Sequence, residues 1–127
     1  MKAGIASAIA LAGTLTSGAG LAADGNALLR SCKAMLVIAD KQTNTTSVND
    51  FDLGQCIGVT EAVRNTMMSL DSRLVPEMRT CFPANGVINS QGIRIVVRYL
   101  EAHPENLDLD QSLLSLLAYK QAYPCKG

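Results

Sequence analysis

Four cysteines, one histidine and a close pair of aspartates are the residues of this chain whose types could do chemistry. The cysteines are Cys32, Cys56, Cys81 and Cys125; no two form a Cys-x-x-Cys pair, and His103 is the only imidazole. Zinc-type ligand spacing is therefore absent. An even count is what disulfides require, and a bridge would consume any thiol nucleophile. His103 stands immediately before Pro104, at an expected helix end, where a cation interacts favourably with the last carbonyls. No candidate nucleophile is patterned with it to make it a general base. Asp108 and Asp110 are spaced for paired-carboxylate chemistry, but the electrostatic preference of a helix N-terminus for acidic residues accounts for them equally well. Met67 and Met68 read as core and rim of a helix, not as a redox site. The chain has no glycine-rich phosphate loop and no Trp, and Phe51, Phe82, Tyr99, Tyr119 and Tyr123 make no nucleic-acid stacking pattern. These residues imply a protein without catalytic centre, metal or cofactor, in which the cysteines are structural.

Disulfides need an oxidising compartment, and the start of the chain carries an export signal. Lys2 precedes an uncharged stretch from Ala3 to Ala23, within which Ile5 to Leu15 is an apolar run of signal-peptide length. Gly20-Leu21-Ala22 supplies the small residues that signal peptidase accepts, so cleavage is expected after Ala22, with Ala23 as the second choice. The competing reading is a retained membrane anchor. Gly, Ser and Thr dilute the stretch too far for the roughly 20 predominantly apolar residues that a span requires. The expected division is a signal peptide over 1–22 and a single domain over 23–127. The whole chain balances 11 basic against 11 acidic residues, and loss of Lys2 leaves the mature part near −1. That excludes a basic surface of the nucleic-acid-binding type.

The elements that must position the cysteines follow from helical periodicity. Between Asp24 and Asp40, Leu28, Leu29, Cys32, Met35, Leu36 and Ala39 recur at helical spacing. The polar segment Lys41 to Asn49 is a loop. Asp50 or Asp52 can cap a second helix, with Leu53, Cys56, Ile57, Thr60, Val63, Met67 and Leu70 on one face. Asn89 or Ser90 starts a third, with the stripe Ile93, Val96, Val97, Leu100; the segment is β-branched, but Arg94, Arg98 and Glu101 recur at steps of four and three, which favours helix over strand. Asp108 with Gln111 resembles a capping box for a fourth helix, buried through Leu113, Leu114, Leu116, Leu117 and Ala118 and stopped by Pro124. Four cysteines allow three connectivities. In a hairpin of the first two helices Cys32 and Cys56 differ in height by only about 5 Å at 1.5 Å rise per residue. In a hairpin of the last two, the end of the fourth helix returns near Cys81. The expected pairs are Cys32–Cys56 and Cys81–Cys125, in an all-α, disulfide-stapled bundle of about four helices arranged as two hairpins.

Cys56-Ile57-Gly58, Cys81-Phe82-Pro83, the run from Gln91 through Val96-Val97-Arg98-Tyr99-Leu100-Glu101-Ala102-His103-Pro104-Glu105, and the terminal Tyr123-Pro124-Cys125 together resemble the Rap/Tai-type immunity proteins. The resemblance spans Leu28 to Cys125. It implies a small periplasmic helical protein that neutralises a peptidoglycan amidase delivered by a type VI secretion system, and relatives that act as homodimers. It implies no enzyme activity, no cofactor, and no membrane attachment once the signal is cleaved. The residues put forward for contact with the effector are Asn44 and Thr45 in the polar loop, Asn85 in the short loop after Cys81, Gln91 and Tyr99. Each has a plainer role beside it: Asn85-Gly86 makes a tight turn, Gln91 bonds backbone at a helix start, and Tyr99 is half-buried with its hydroxyl at the surface. The rival functions are an envelope adaptor built on the same domain and an acid-stress-type chaperone. The acidic residues form no cluster to drive the latter.

Overall fold

The computed structural model describes residues 23–40 and 48–126. The expected signal peptide over 1–22 and the candidate contacts Asn44 and Thr45 lie outside the described residues. Four α-helices carry the fold: α1 (Gly25–Ala39), α2 (Asp50–Leu70), α3 (Asn89–Ala102) and α4 (Gln111–Ala122). Short 3₁₀ turns at Asp71–Arg73 and Pro76–Met78 lead from α2 toward Cys81, and a third at Pro104–Asn106 joins α3 to α4. Among the described residues there is no strand, and Ile93 to Leu100 is helical. The fold is the expected all-α bundle.

Both disulfides form as the hairpin geometry requires. Cys32 and Cys56 join α1 to α2 with Cα atoms 5.0 Å apart, and Cys81 and Cys125 tie the approach to α3 to the exit from α4 at 4.9 Å. Helix α1 packs on α2 and α3, and α4 packs on the same two. The buried centre is Leu28 and Cys32 from α1, Cys56 from α2, Ile93, Val96, Val97 and Leu100 from α3, and Leu114, Ala118 and Tyr119 from α4. On α3 these are the stripe that the period of the sequence marks, since steps of three and four return a side chain to the same face.

The helix starts differ from expectation in two places. Helix α2 is capped by Asn49, whose side-chain oxygen accepts the Phe51 N–H at 2.9 Å, while Asp50 and Asp52 sit in the first turn. Asn is among the strongest N-caps, and the two carboxylates still face the positive end of the helix dipole. On α4 the cap is Asp110, which accepts from Ser112 N at 2.8 Å and Leu113 N at 3.1 Å. Gln111 is the first helical residue, so no Asp108–Gln111 capping box forms. A contact distant in sequence sets this register. Gly25 N donates to Leu109 O at 3.0 Å, Asn26 N to Leu107 O at 3.1 Å and Gln111 N to Ala23 O at 3.2 Å, so the entry to α1 pairs with the entry to α4. Gln111 then turns its amide oxygen to Gln55 Nε2, 2.9 Å away. At the start of α1, Asp24 accepts the Ala27 N–H at 2.9 Å, a bond that holds its carboxyl below the ordinary aspartate value.

The buried side of α4 is also corrected. Leu113 is 45% exposed, and Ser115 and Tyr119 occupy fully buried positions instead. On α2, Leu70 is exposed and Arg64 is buried. Arg64 follows Cys56 and Thr60 at steps of four, on the face turned inward.

Candidate functional site

The Cys81–Cys125 bridge organises one end of the bundle. Cys81 N donates to Tyr123 O at 3.0 Å, so the two chain segments are joined by backbone as well as sulfur. Phe82 follows and packs edge-on to Tyr119 at 5.7 Å between ring centroids, and tilted against Tyr123 at 5.4 Å. These aromatic contacts and the bridge anchor the near side of a turn from Pro83 to Gly86. Gly86 N donates to Pro83 O at 2.9 Å, and Gly86 has φ +78°, a conformation open to glycine at no steric cost. Val87 then buries its side chain and fixes the far side, while Ile88 is left 70% exposed. The turn is therefore exposed at Pro83, Ala84 and Asn85 with both ends held. Asn85 is exposed on it, in the tight turn that its sequence with Gly86 suggests.

Helix α3 begins directly after this turn, without a side-chain cap on Ile88. Arg64 meets it there: Nη2 donates to Asn89 Oδ1 at 2.8 Å from a side chain almost wholly buried. Gly92 lies beside this contact, and a Cβ there would come within 2.8 Å of Tyr119 Oη. The Tyr119 hydroxyl donates to Thr60 O at 3.0 Å, and burial pushes its pKa up to about 12. Thr60, Arg64, Asn89, Gly92 and Tyr119 thus lock three helices together at the base of the turn. Sequence reasoning placed Thr60 on the buried face of α2 but missed Arg64, which the same four-residue step from Cys56 marks.

Gln91 is exposed and donates from Nε2 to Tyr123 Oη at 3.3 Å, which links the first turn of α3 to the end of α4 instead of to backbone. Tyr99 is half-buried as expected, with its ring stacked on His103 at 4.1 Å. His103 Nδ1 lies 2.8 Å from Tyr99 O; a carbonyl only accepts, so the proton sits on Nδ1 in this bond. That is the helix-end role its position suggests. Tyr99 also walls a groove of about 260 Å³ between α3 and α4, with Ile95, Arg98, Ala102, Ala118, Gln121 and Ala122. Asn85 thus stands on the turn and Gln91 in the first turn of α3, while Tyr99 lies two turns further along α3, toward its C-terminal end. Asp40, the last described residue before the segment with Asn44 and Thr45, is ion-paired to Arg94 on α3, which raises the guanidinium pKa above its ordinary value.

A second groove, more apolar, separates α2 from α4 and is lined by Val63, Met67, Leu113 and Leu116. It continues under the 71–80 segment past Leu70, Leu74 and Met78 to Lys120. Among the described residues no three of His, Cys, Asp or Glu are grouped to hold a metal ion, and no helix is long and apolar enough to cross a membrane. Asp110 is occupied as a cap, and Asp108 is an exposed residue two positions before it.

The described residues thus form a helical scaffold with an exposed turn held at both ends and a grooved flank. The family model of the Rap1a immunity proteins matches residues 24–125, and the chain belongs to that family. Members of such a family bind a cognate effector protein, are generally not enzymes and are typically exported. Searches of curated proteins and of solved structures return no match.

Proposed function

We propose that this protein is a periplasmic immunity protein that binds a peptidoglycan amidase delivered by type VI secretion and occludes its cleft. The observation that carries the reading is the family match over nearly all of the helical domain. The stapled turn from Pro83 to Gly86 supports it physically. An exposed segment whose ends are fixed loses little entropy on entering a cleft, and preorganisation of this kind favours affinity. Asn85 at the tip and Gln91 and Tyr99 behind it are the proposed contacts, with Asn44 and Thr45 in the polar loop. Residues 1–22 are proposed as the signal peptide that delivers the chain to the compartment where its thiols oxidise. A second copy is the proposed partner for the α2–α4 side, where Leu70, Met78 and Leu113 stand exposed along an apolar groove.

Capture must precede wall damage, so nanomolar binding or better is expected, about −12 kcal/mol. The experiment directs the amidase encoded beside this chain to the periplasm with and without it and follows lysis. Protection is expected to need residues 1–22. The purified mature protein should inhibit wall cleavage stoichiometrically, and light scattering should give twice the monomer mass. An amidase neither bound nor inhibited defeats the immunity reading and leaves the envelope-adaptor reading in its place.

A further inference from the structure

The α3–α4 groove has a chemical character that the occlusion reading does not require. Small residues line it: Ala118, 1% exposed, lies between the two helices, and Ala102 and Ala122 stand at the surface on either side. Alanine has no rotamers to order, so filling this concavity costs these residues no side-chain entropy. Tyr99 forms one wall and is held against His103, so this wall too is set in advance. Arg98 stands on the rim. Its neighbours in charge are committed elsewhere: Arg94 pairs with Asp40, and Lys33 pairs with Glu101 at 2.7 Å. Among the described residues Arg98 has no carboxylate within ion-pair distance, and no carboxylate lines the groove.

A concavity of about 260 Å³, lined by Ile95, Tyr99 and three alanines with Gln121 and one uncommitted guanidinium beside them, selects a particular ligand chemistry. We infer that the groove is a socket for one large apolar side chain of the effector, with an effector carboxylate seated on Arg98. The inference rests on the immunity reading and names the chemistry of its partner at this flank. Arg is suited to the role because its planar fork meets a carboxylate in two parallel bonds. Energy in such interfaces concentrates in a few buried anchors with an Arg or an aromatic residue beside them. A second copy of this chain is a poor occupant. A two-fold contact centred on the groove would set Arg98 against the Arg98 of the other copy, and the second copy is already proposed for the α2–α4 side.

The test uses the oxidised mature protein and the secreted amidase encoded beside it, with association and dissociation followed at a sensor surface. Arg98→Glu reverses the rim charge, and Ala102→Trp fills the groove from an exposed lining position. Arg30→Glu, an exposed reversal on α1, is the control. Both groove variants should raise the off-rate at least tenfold, Arg98→Lys should recover part of the loss, and Arg30→Glu should match wild type. The salt dependence of wild-type binding should weaken in Arg98→Glu. Unchanged off-rates in Arg98→Glu and Ala102→Trp, with wild type binding tightly, overturn the socket and leave the immunity reading standing. Absence of wild-type binding overturns both. If the Trp variant does not fold, the exposed Arg98 pair decides alone.

Discussion

Tyr119 concentrates the constraints of this fold in one side chain. It is fully buried, its ring meets Phe82, and its hydroxyl donates to the Thr60 carbonyl across the α2–α4 contact. Burial raises its pKa from 10.0 to about 12, and the nearby positive charge of Arg64 pulls in the opposite direction without prevailing. The consequence for stability has a definite sign. The folded state holds the phenolic proton more tightly than the unfolded chain, so this contribution is whole below pH 10 and is lost as pH rises through about 12. Thermal melting of the wild type should therefore fall more steeply between these limits than that of Tyr119→Phe. At neutral pH the Phe variant should be less stable by about 1 kcal/mol, because the Thr60 carbonyl loses its donor. Equal alkaline slopes in the two proteins would show that Tyr119 does not titrate with unfolding. Arg64 illustrates what local patterning hides. Its position on the inward face was legible, but an arginine on such a face reads as an interruption until α3 brings Asn89 within 2.8 Å of it.

At the scale of elements, the helices and their apolar stripes were legible because burial repeats every three or four residues and Pro104 and Pro124 punctuate the pattern. Ile93, Val96, Val97 and Leu100 on α3 are the plainest case, and all four are buried. The disulfide pairing was legible for the same reason, since helix order and rise per residue limit which cysteines can meet. The start of α4 was not. Asp108 and Asp110 both offer a capping carboxylate to any local reading, and the choice falls to Asp110 because Ala23, Gly25 and Asn26 pair with the 107–111 backbone from the far end of the chain. Asp110→Ala should accordingly cost about 1 kcal/mol in denaturant unfolding, the usual worth of an N-cap. Asp108→Ala should remain within about 0.5 kcal/mol of wild type, as exposed substitutions away from such features do. A larger loss at Asp108 would restore the capping box that the Asp110 cap replaces. The candidate site was less legible than the fold. Asn85 and Gln91 are marked by turn chemistry and position, but the α3–α4 groove needs the packing of two helices to exist at all.

For the whole molecule, the two bridges divide the work between core and site. Cys32–Cys56 closes a separation of 24 residues inside the buried cluster, and Cys81–Cys125 closes 44 residues at the end that carries the turn. In the chain-entropy account each contributes about 3–4 kcal/mol. A domain of this size has about 5–15 kcal/mol in total. The reduced chain is thus left with a small margin, which ties proper folding to oxidation of the thiols, the condition that the proposed export would meet. Replacing both Cys81 and Cys125 by Ser should lower stability by about 2–5 kcal/mol. The loss should also be local: the Gly86 N–H, bonded to Pro83 O, should exchange with solvent faster than the amides of α1, which keep their own bridge to α2. Binding should then weaken through ordering of the turn at the moment of contact, so that affinity falls even at temperatures where the variant remains folded. A double-Ser variant that is folded, exchanges slowly at Gly86 and binds as tightly as wild type would mean that the turn holds its shape without the staple, and that Phe82, Val87 and the Cys81–Tyr123 backbone bond suffice.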